Sequence, residues 1–520
     1  MDQETIHRRR WATLAVLSLS LVIIGLDNTI VNVALPTLVR ELGATASELQ
    51  WIVDAYVLVF AGLLLTMGAL GDRFGRKLAL NAGLLIFGLS SLAATFADTA
   101  GALIAARAVM GVGGALIMPS TLSIITNIFE GRERGRAIAA WAAVAGLGII
   151  VGPALGGWLL ENYWWGSIFF INIFIVLVAL AVGWFLVPES KDPEATPLDP
   201  LGAALSIGGL VALVYAIIEA PATGWTDPMV LTVFAVAAVL LTLFLWWETR
   251  TAHPMLRLSF FENPRFSAAS AAIAMVFFAM FGTVFLLTQY LQFVLGFSPL
   301  EAGFRVMPVA TMVIAAPLSA RLTERFGTKK VVTAGLLVVA AAMSLLAMIS
   351  DTSGYGQVAL AISILGLGMG TAMAPATDSI MGSLPLAKAG VGSAMNDTTR
   401  QVGGALGVAI LGSVLVSHYS STMEPLLASA PLPEEAAVTA SDSIGGALAV
   451  ASQIGDAAAP LVDAARSAFI GGMQVAVWVA VGVALSGALI TWLFLPSRPR
   501  EEGAPANGAL EAVGLGDDLV

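Results

Sequence analysis

The chain contains no cysteine, so disulfides, thiolate metal sites and thiol nucleophile chemistry are all excluded. Histidine is scarce too: His7, His253 and His418 lie outside or at the edges of the apolar runs and form no metal-ligand set. Charged residues make up only 12% of the chain, where a soluble globular domain carries roughly 25%. The formal net charge of −10 leaves no basic footprint for nucleic acid. No nucleophile-and-base arrangement and no phosphate-cradling loop stands out, which argues against an enzyme, and no cofactor or metal is expected.

Apolar length is what the chain has in excess. Hydrophobic residues are 58% of the total, and they fall in runs of about 20 residues, the length that crosses a bilayer. The runs lie near 12–35, 50–70, 78–97, 101–125, 136–160, 167–187, 199–219, 229–248, 266–290, 300–322, 330–349, 356–381, 396–418 and 467–495. Backbone polar groups in hydrocarbon must bond within their own segment, so these runs are read as fourteen helices. Barrel strands would be about half as long and would alternate. With the amino terminus placed inside, all of the 25 Lys and Arg except Arg40, Arg107, Arg305 and Arg466 fall on the cytoplasmic side. Both termini are therefore expected in the cytoplasm of a multi-pass protein of the inner or plasma membrane. The first run is too long for a signal-peptide core and lacks a clear cleavage site, so it is read as retained.

The most informative stretch is Gly68-Ala-Leu-Gly-Asp-Arg-Phe-Gly-Arg-Lys77, a charged turn between the second and third runs. Gly68, Gly71 and Gly75 allow a tight hairpin. Asp72 can cap a helix or pair with a basic residue across the interface between halves, while Arg73, Arg76 and Lys77 anchor the inner face. A weaker copy follows at 320–330, where Glu324, Phe326 and Gly327 take the places of Asp72, Phe74 and Gly75. At nearly the same offset, Gly152-Pro-Ala-Leu-Gly156 is echoed by Gly403-Gly-Ala-Leu-Gly407. The offset is too long for two six-helix halves alone, so the runs at 199–219 and 229–248 are placed as an insertion. This divides the chain into a first bundle over 1–187, a linker and inserted pair over 188–250, and a second bundle over 251–496. The second bundle carries a long external loop at 419–466, read as a lid or a passive cover, whose stretch 443–466 suits a short helix. A disordered cytoplasmic tail is expected from 497 to 520.

Charges inside predicted helices carry the chemistry. Asp27 lies in the first run, within Leu-Asp-Asn-Thr-Ile-Val-Asn-Val-Ala-Leu-Pro, and Asp54 near the outer start of the second. An ionised Asp at a helix centre costs roughly 2.5–3.5 kcal/mol, and burial favours the neutral acid. Such a group takes up a proton in one conformation and releases it in another, or attracts a cation; the plainer alternative is a carboxylate that bonds helices together. Asp54 is placed close to external water. Arg107 stays protonated, so it can bias a neighbouring acid but not carry the proton; alternatively it bonds carbonyls of the first span. Gly148, Gly152, Pro153, Gly156 and Gly157 put small residues and a kink at helical spacing in the fifth run, as a flexing joint or a packing face. Phe277, Phe278, Phe281, Phe285, Gln289, Tyr290 and Gln292 give the ninth run an aromatic stripe with a polar end, which lines a cavity or faces lipid. Asn28, Asn32, Tyr56, Phe281, Gln289 and Tyr290 are the candidate cavity residues.

These residues resemble the Major Facilitator Superfamily, and within it the fourteen-span drug:proton antiporters. The stretch 68–77 is similar to the family's loop 2–3 motif, and Arg107 with Gly111 and Gly113 to its span 4 motif. Residues Gly148 to Gly157 resemble the span 5 antiporter motif, and Leu26 to Pro36 the span 1 motif. The resemblance implies an all-α membrane fold of two six-helix bundles plus two inserted helices. It implies alternating access, with lipophilic or cationic small molecules exported in exchange for protons. It assigns coupling or substrate handling to the acid and arginine that are here Asp27 and Arg107. Expected partners are small-molecule substrates, protons and membrane lipids, with the protein a monomer. Two departures stand out: Met110 replaces the family's glutamine and removes a hydrogen-bond partner, and Thr323 replaces the second-half counterpart of Gly71. Two rival readings remain at this level. One is a dedicated exporter of a native metabolite, amino acid, lipid or siderophore; the other is a non-transporting membrane scaffold or sensor.

Overall fold

The computed structural model describes residues 3–191, 198–350, 353–384, 389–428, 430 and 432–497. Part of the predicted 188–200 linker and nearly all of the predicted tail lie outside these. The first bundle comprises α1 (Gln3–Leu42), α2 (Ala46–Phe74), α3 (Arg76–Thr95), α4 (Ala100–Ile128), α5 (Gly131–Asn162) and α6 (Ser167–Leu186). The inserted pair is α7 (Pro200–Thr223) and α8 (Pro228–Glu248). In the second bundle, α9 (Pro264–Gln289) runs into a π turn at Tyr290–Val294. Next, α10 (Pro299–Val306) and α11 (Thr311–Phe326) make one crossing, broken at the 3-10 turn Met307–Ala310. Then come α12 (Thr328–Ala347), α13 (Tyr355–Met381) and α14 (Ala389–Leu427). Two short helices, α15 (Glu434–Asp442) and α16 (Ile444–Ile454), precede α17 (Ala459–Phe494).

Thirteen helices among the described residues are long and apolar enough to cross a membrane. Helix α5, at 32 residues, occupies the remaining predicted span. The chain is thus an all-α, multi-pass membrane protein. Local chemistry sets the helix starts. Proline stands in the first turn of α7, α8 and α9 behind Asp199, Asp227 and Asn263, whose side chains accept the orphan amides. Reciprocal capping boxes, Thr45 with Glu48 and Ser298 with Glu301, open α2 and α10. Helix α8 leaves Leu231, Val236, Val239, Leu243 and Trp246 exposed, the surface a lipid-facing helix presents.

Several boundaries move. Helices α1 and α14 are 40 and 39 residues long and outrun the predicted spans. Helix α14 runs on to Leu427, past the predicted start of the 419–466 loop, and Arg400, counted among the cytoplasmic charges, lies inside the helix, within the predicted 396–418 run. The ninth-run aromatics do not face lipid: Phe277, Phe278 and Phe285 are buried.

The repeat is visible in backbone geometry. Gly75 and Gly327 turn the two hairpins with φ of 128° and 83°, values that suit only glycine. At each, the chain leaving the last span of that bundle docks. The Arg76 amide donates to the Ser190 carbonyl at 2.8 Å, and the Thr328 amide to the Ser497 carbonyl at 3.2 Å. Among the described residues Asp72 neither caps a helix nor reaches across the halves; it pairs with Arg76 at 2.7 Å, because the tight turn sets them side by side. The second hairpin has Thr328 at the position of Arg76 and so cannot repeat that pair.

Candidate central site

Helices α1, α2 and α4 bring the site together. Gly111 allows the approach: a methyl group there would stand 2.6 Å from the Tyr56 carbonyl oxygen. With α4 this close, Arg107 reaches across α2 into the bundle. Its Nη1 ion-pairs with Asp27 Oδ2 of α1, and its Nε donates to the Ile52 carbonyl at 3.0 Å. The guanidinium lies 4.5 Å from the centre of the Tyr56 ring, a cation–π contact. Asp27 and Arg107 are 0% and 1% exposed, so the pair is screened by protein rather than water. Asn172 of α6 also interacts with Asp27, and it donates to Ser91 Oγ at 3.4 Å.

A small cavity of ≈ 10 Å³ lies beside the pair, lined by Asn28, Val31, Asn32, Val53, Val57, Arg107, Phe281 and Val408. Phe281 belongs to α9 and Val408 to α14, so the cavity lies between the bundles. The Asn28 and Asn32 carboxamides donate to carbonyls one turn back along α1. Their oxygens accept no bond among the described residues. Polar acceptors and an arginine line one wall and apolar side chains the other, so the lining is amphiphilic although the space holds no more than a water in this state.

Other expected residues fall elsewhere. Asp54 is fully buried rather than close to external water, and both its oxygens lack partners among the described residues. Tyr56 stacks on Phe60 with ring centres 5.7 Å apart and acts through Arg107, not as cavity wall. Gln289 lines a second cavity near the segment between α14 and α17, with Tyr419 and Asp442. Tyr290 is buried in the π turn. Arg107 bonds a carbonyl of α2, not of α1 as one reading had it. Met110 is fully buried in the core, where a glutamine would have to find a partner.

The span 5 glycines form joints. Gly148 and Gly152 meet the α1 backbone at Val22 and Leu26, and Gly156 meets Ile30. Gly157 abuts Leu300 of α10, and Gly303 of α10 abuts Pro153 in return. Hydrogen bonds between the bundles sit on the side away from the termini. There the Leu300 amide donates to Glu161 Oε1 at 3.2 Å, Gln292 Nε2 to the Val33 carbonyl at 2.8 Å, and the Ala46 amide to Asp442 Oδ2 at 3.0 Å. That side is closed.

A polar cluster on α14 escaped the sequence reading. Asp397 and Arg400 pair at 3.5 Å, Arg400 Nη2 donates to Thr377 Oγ1 at 3.3 Å, and the guanidinium lies 5.5 Å from the Phe277 ring. Asn396 Oδ1 and Gln401 Oε1 beside them accept no bond among the described residues. A charged Asn-Asp-Thr-Thr-Arg-Gln run beside a Gly-Gly-Ala-Leu-Gly repeat was the available signal.

Two helical bundles enclosing a buried ion pair and a cavity at their interface define a secondary transporter rather than an enzyme. The chain matches the Major Facilitator Superfamily over residues 17–408 and belongs to that family. It is 37% identical to the multidrug efflux pump LfrA of Mycolicibacterium smegmatis, over 93% of this chain and 95% of that one. It is 35% identical to the methyl viologen resistance protein SmvA of Salmonella typhimurium, over 95% and 99%. It is 33% identical to the tetracenomycin C resistance and export protein of Streptomyces glaucescens, over 96% and 94%. Its fold resembles an inward-facing bacterial homologue of the human lysosomal transporter Spinster, with a TM-score of 0.64 at 18% identity, covering 95% of this chain and 99% of that one.

Proposed function

We propose that this protein is a proton-coupled antiporter that exports lipophilic or cationic small molecules by alternating access, a multidrug efflux pump that confers antibiotic resistance. It would act as a monomer in the inner or plasma membrane, in contact with lipid and with both termini in the cytoplasm. The observation that carries the reading is the buried Asp27–Arg107 pair at the wall of a cavity shared by both bundles. The printed names of the relatives, efflux pumps and resistance proteins, support the cargo class.

Arg107 cannot release its proton, so only Asp27 can change charge within the pair. A proton reaching Asp27 cancels the ion pair and leaves the arginine charge facing the cavity, which repels a cationic guest. Losing that proton restores the pair and lowers the local positive potential. Proton and cation thus exclude each other, which is the logic of exchange. Asp54, whose buried carboxyl has no partner among the described residues, is a second group that can hold a proton in this state. Each proton that moves inward releases about 2.3 kcal/mol per 100 mV of membrane potential.

The test is cationic dye export in proteoliposomes with an imposed pH gradient. Asp27→Asn, a permanent mimic of the protonated acid, should abolish gradient-driven export and weaken cationic dye binding, and Asp27→Glu should keep part of the export. Undiminished export by Asp27→Asn would remove Asp27 from the coupling role.

A further inference from the structure

Two buried carboxyl groups play no part in the central site. Asp199, the N-cap of α7, and Glu248, the last residue of α8, are 7% and 4% exposed. Their oxygens converge on Gly202: a methyl group there would stand 2.6 Å from Asp199 Oδ2 and 2.6 Å from Glu248 Oε1. The absence of a side chain at Gly202 is what lets them meet. Both carboxyls are therefore aimed at one buried point with no side chain between them. Two ionised carboxylates set together in a buried place repel each other and neither can donate, and one proton between them relieves both problems.

The surrounding donors are divided unequally. Asp199 Oδ1 accepts the Gly202 amide at 2.8 Å and the Trp247 indole at 2.9 Å, and Oδ2 accepts the same indole at 3.0 Å. Glu248 has one donor, the Leu256 amide, at 2.8 Å from Oε2, and its Oε1 is buried with no donor among the described residues. The unclaimed Oε1 is the atom left to hold a proton, pointed at Asp199. Basic groups do not neutralise the pair. Arg250 lies 5.7 Å from the Trp246 ring, and among the described residues Lys191, Arg250, His253 and Arg257 make no ion pair with either acid.

We propose that Asp199 and Glu248 form a proton-binding site on the terminus side of the membrane, separate from the central cavity, where one shared proton clasps the inserted helices to the chain leading into the second bundle. Three segments meet at it: the entry to α7, the end of α8 and, through the Leu256 amide, the connection to α9. Losing the proton sets two carboxylates against each other in a buried place, and Glu248 must swing out to water and release Leu256. The clasped pair holds its proton more tightly than separated carboxyls do. The clasp is therefore intact at low pH and loosens as pH rises through the titration point of the pair.

Hydrogen exchange of the full-length protein in lipid nanodiscs tests this, read on peptides covering 249–263 and corrected for the intrinsic pH dependence of exchange. In the wild type, protection of this segment should be high in acid and fall about tenfold for each pH unit above the titration point. Glu248→Gln and Asp199→Asn each replace the shared proton with a permanent amide donor, so both should hold the segment closed with no pH step. A flat wild-type profile, or a step that persists unchanged in Glu248→Gln, overturns the proposal. The wild-type profile decides even if a variant misfolds. No transport is measured, so failure of the efflux reading would leave this result standing.

Discussion

Asp27 and Arg107 form a pair whose members are not interchangeable. Deleting one partner of a buried ion pair costs about 3–5 kcal/mol, because the other charge is left uncompensated. Asp27 can escape that cost by taking a proton; Arg107 cannot. Asp27→Asn should therefore lower thermal stability in detergent more than Arg107→Gln does, with the Arg107→Gln loss shrinking as pH falls. Equal losses at all pH values would mean that Asp27 stays charged whatever stands beside it. The two residues were readable as charges inside apolar runs. Their contact was not, since it depends on Gly111 bringing α4 against α2 and on no sequence neighbour. Asp397 and Arg400 were missed for a related reason. Both lie inside the 396–418 run, but counting Arg400 among the cytoplasmic charges hides that the pair sits within a helix.

At the scale of helices, α5 is the contact on which the closed side rests. A methyl group at Gly157 would stand 2.5 Å from the Leu300 Cα, a backbone atom that has no rotamer to move. Gly157→Ala should then destabilise the closed state by about 1–3 kcal/mol, a 5- to 150-fold change in population. The chain has no cysteine, so spin labels can be placed at Asn162→Cys and Phe304→Cys without background. The distance distribution between them should shift to longer values in the Gly157→Ala background, with the fold retained. An unchanged distribution would make these glycines mere packing. The glycine-proline spacing was plain in the sequence, but not that Gly157 serves the other bundle while Gly148, Gly152 and Gly156 serve α1.

For the molecule as a whole, the segment between α14 and α17 works as a strap. Asp442 at the end of α15 accepts the first amide of α2, and Tyr419 Oη donates to the Ala440 carbonyl at 3.0 Å, so the segment ties both bundles together. Burial pushes the Asp442 carboxyl above its usual range; bonds from Ala46 and Ser443 pull it partly back, and the nearby charge of Glu48 adds to the rise. A raised acid favours the folded strap below its unfolded value, and that contribution is lost as pH rises through the raised value. Exchange protection over 434–454 should fall as pH rises on the side away from the termini, and Asp442→Asn should flatten the profile. The inserted pair also proves to be more than a spacer. Ser413 Oγ of α14 donates to the Ile217 carbonyl at 2.6 Å, and Ser47 Oγ of α2 to the Ile218 carbonyl at 3.4 Å, so α7 sits against both bundles at their seam.

Composition and motif order were enough for the bilayer setting, the helical class, the repeat and the family, because lipid leaves a long apolar chain few alternatives: each run must satisfy its own backbone, so run length alone defines the element. Partner choice was another matter. Which acid meets Arg107, which glycine belongs to which bundle, where α7 lies and why Glu248 faces Asp199 all depend on helices distant in sequence coming together. Small residues set how near two helices approach, and nothing in a one-dimensional pattern says which neighbour will fill the space.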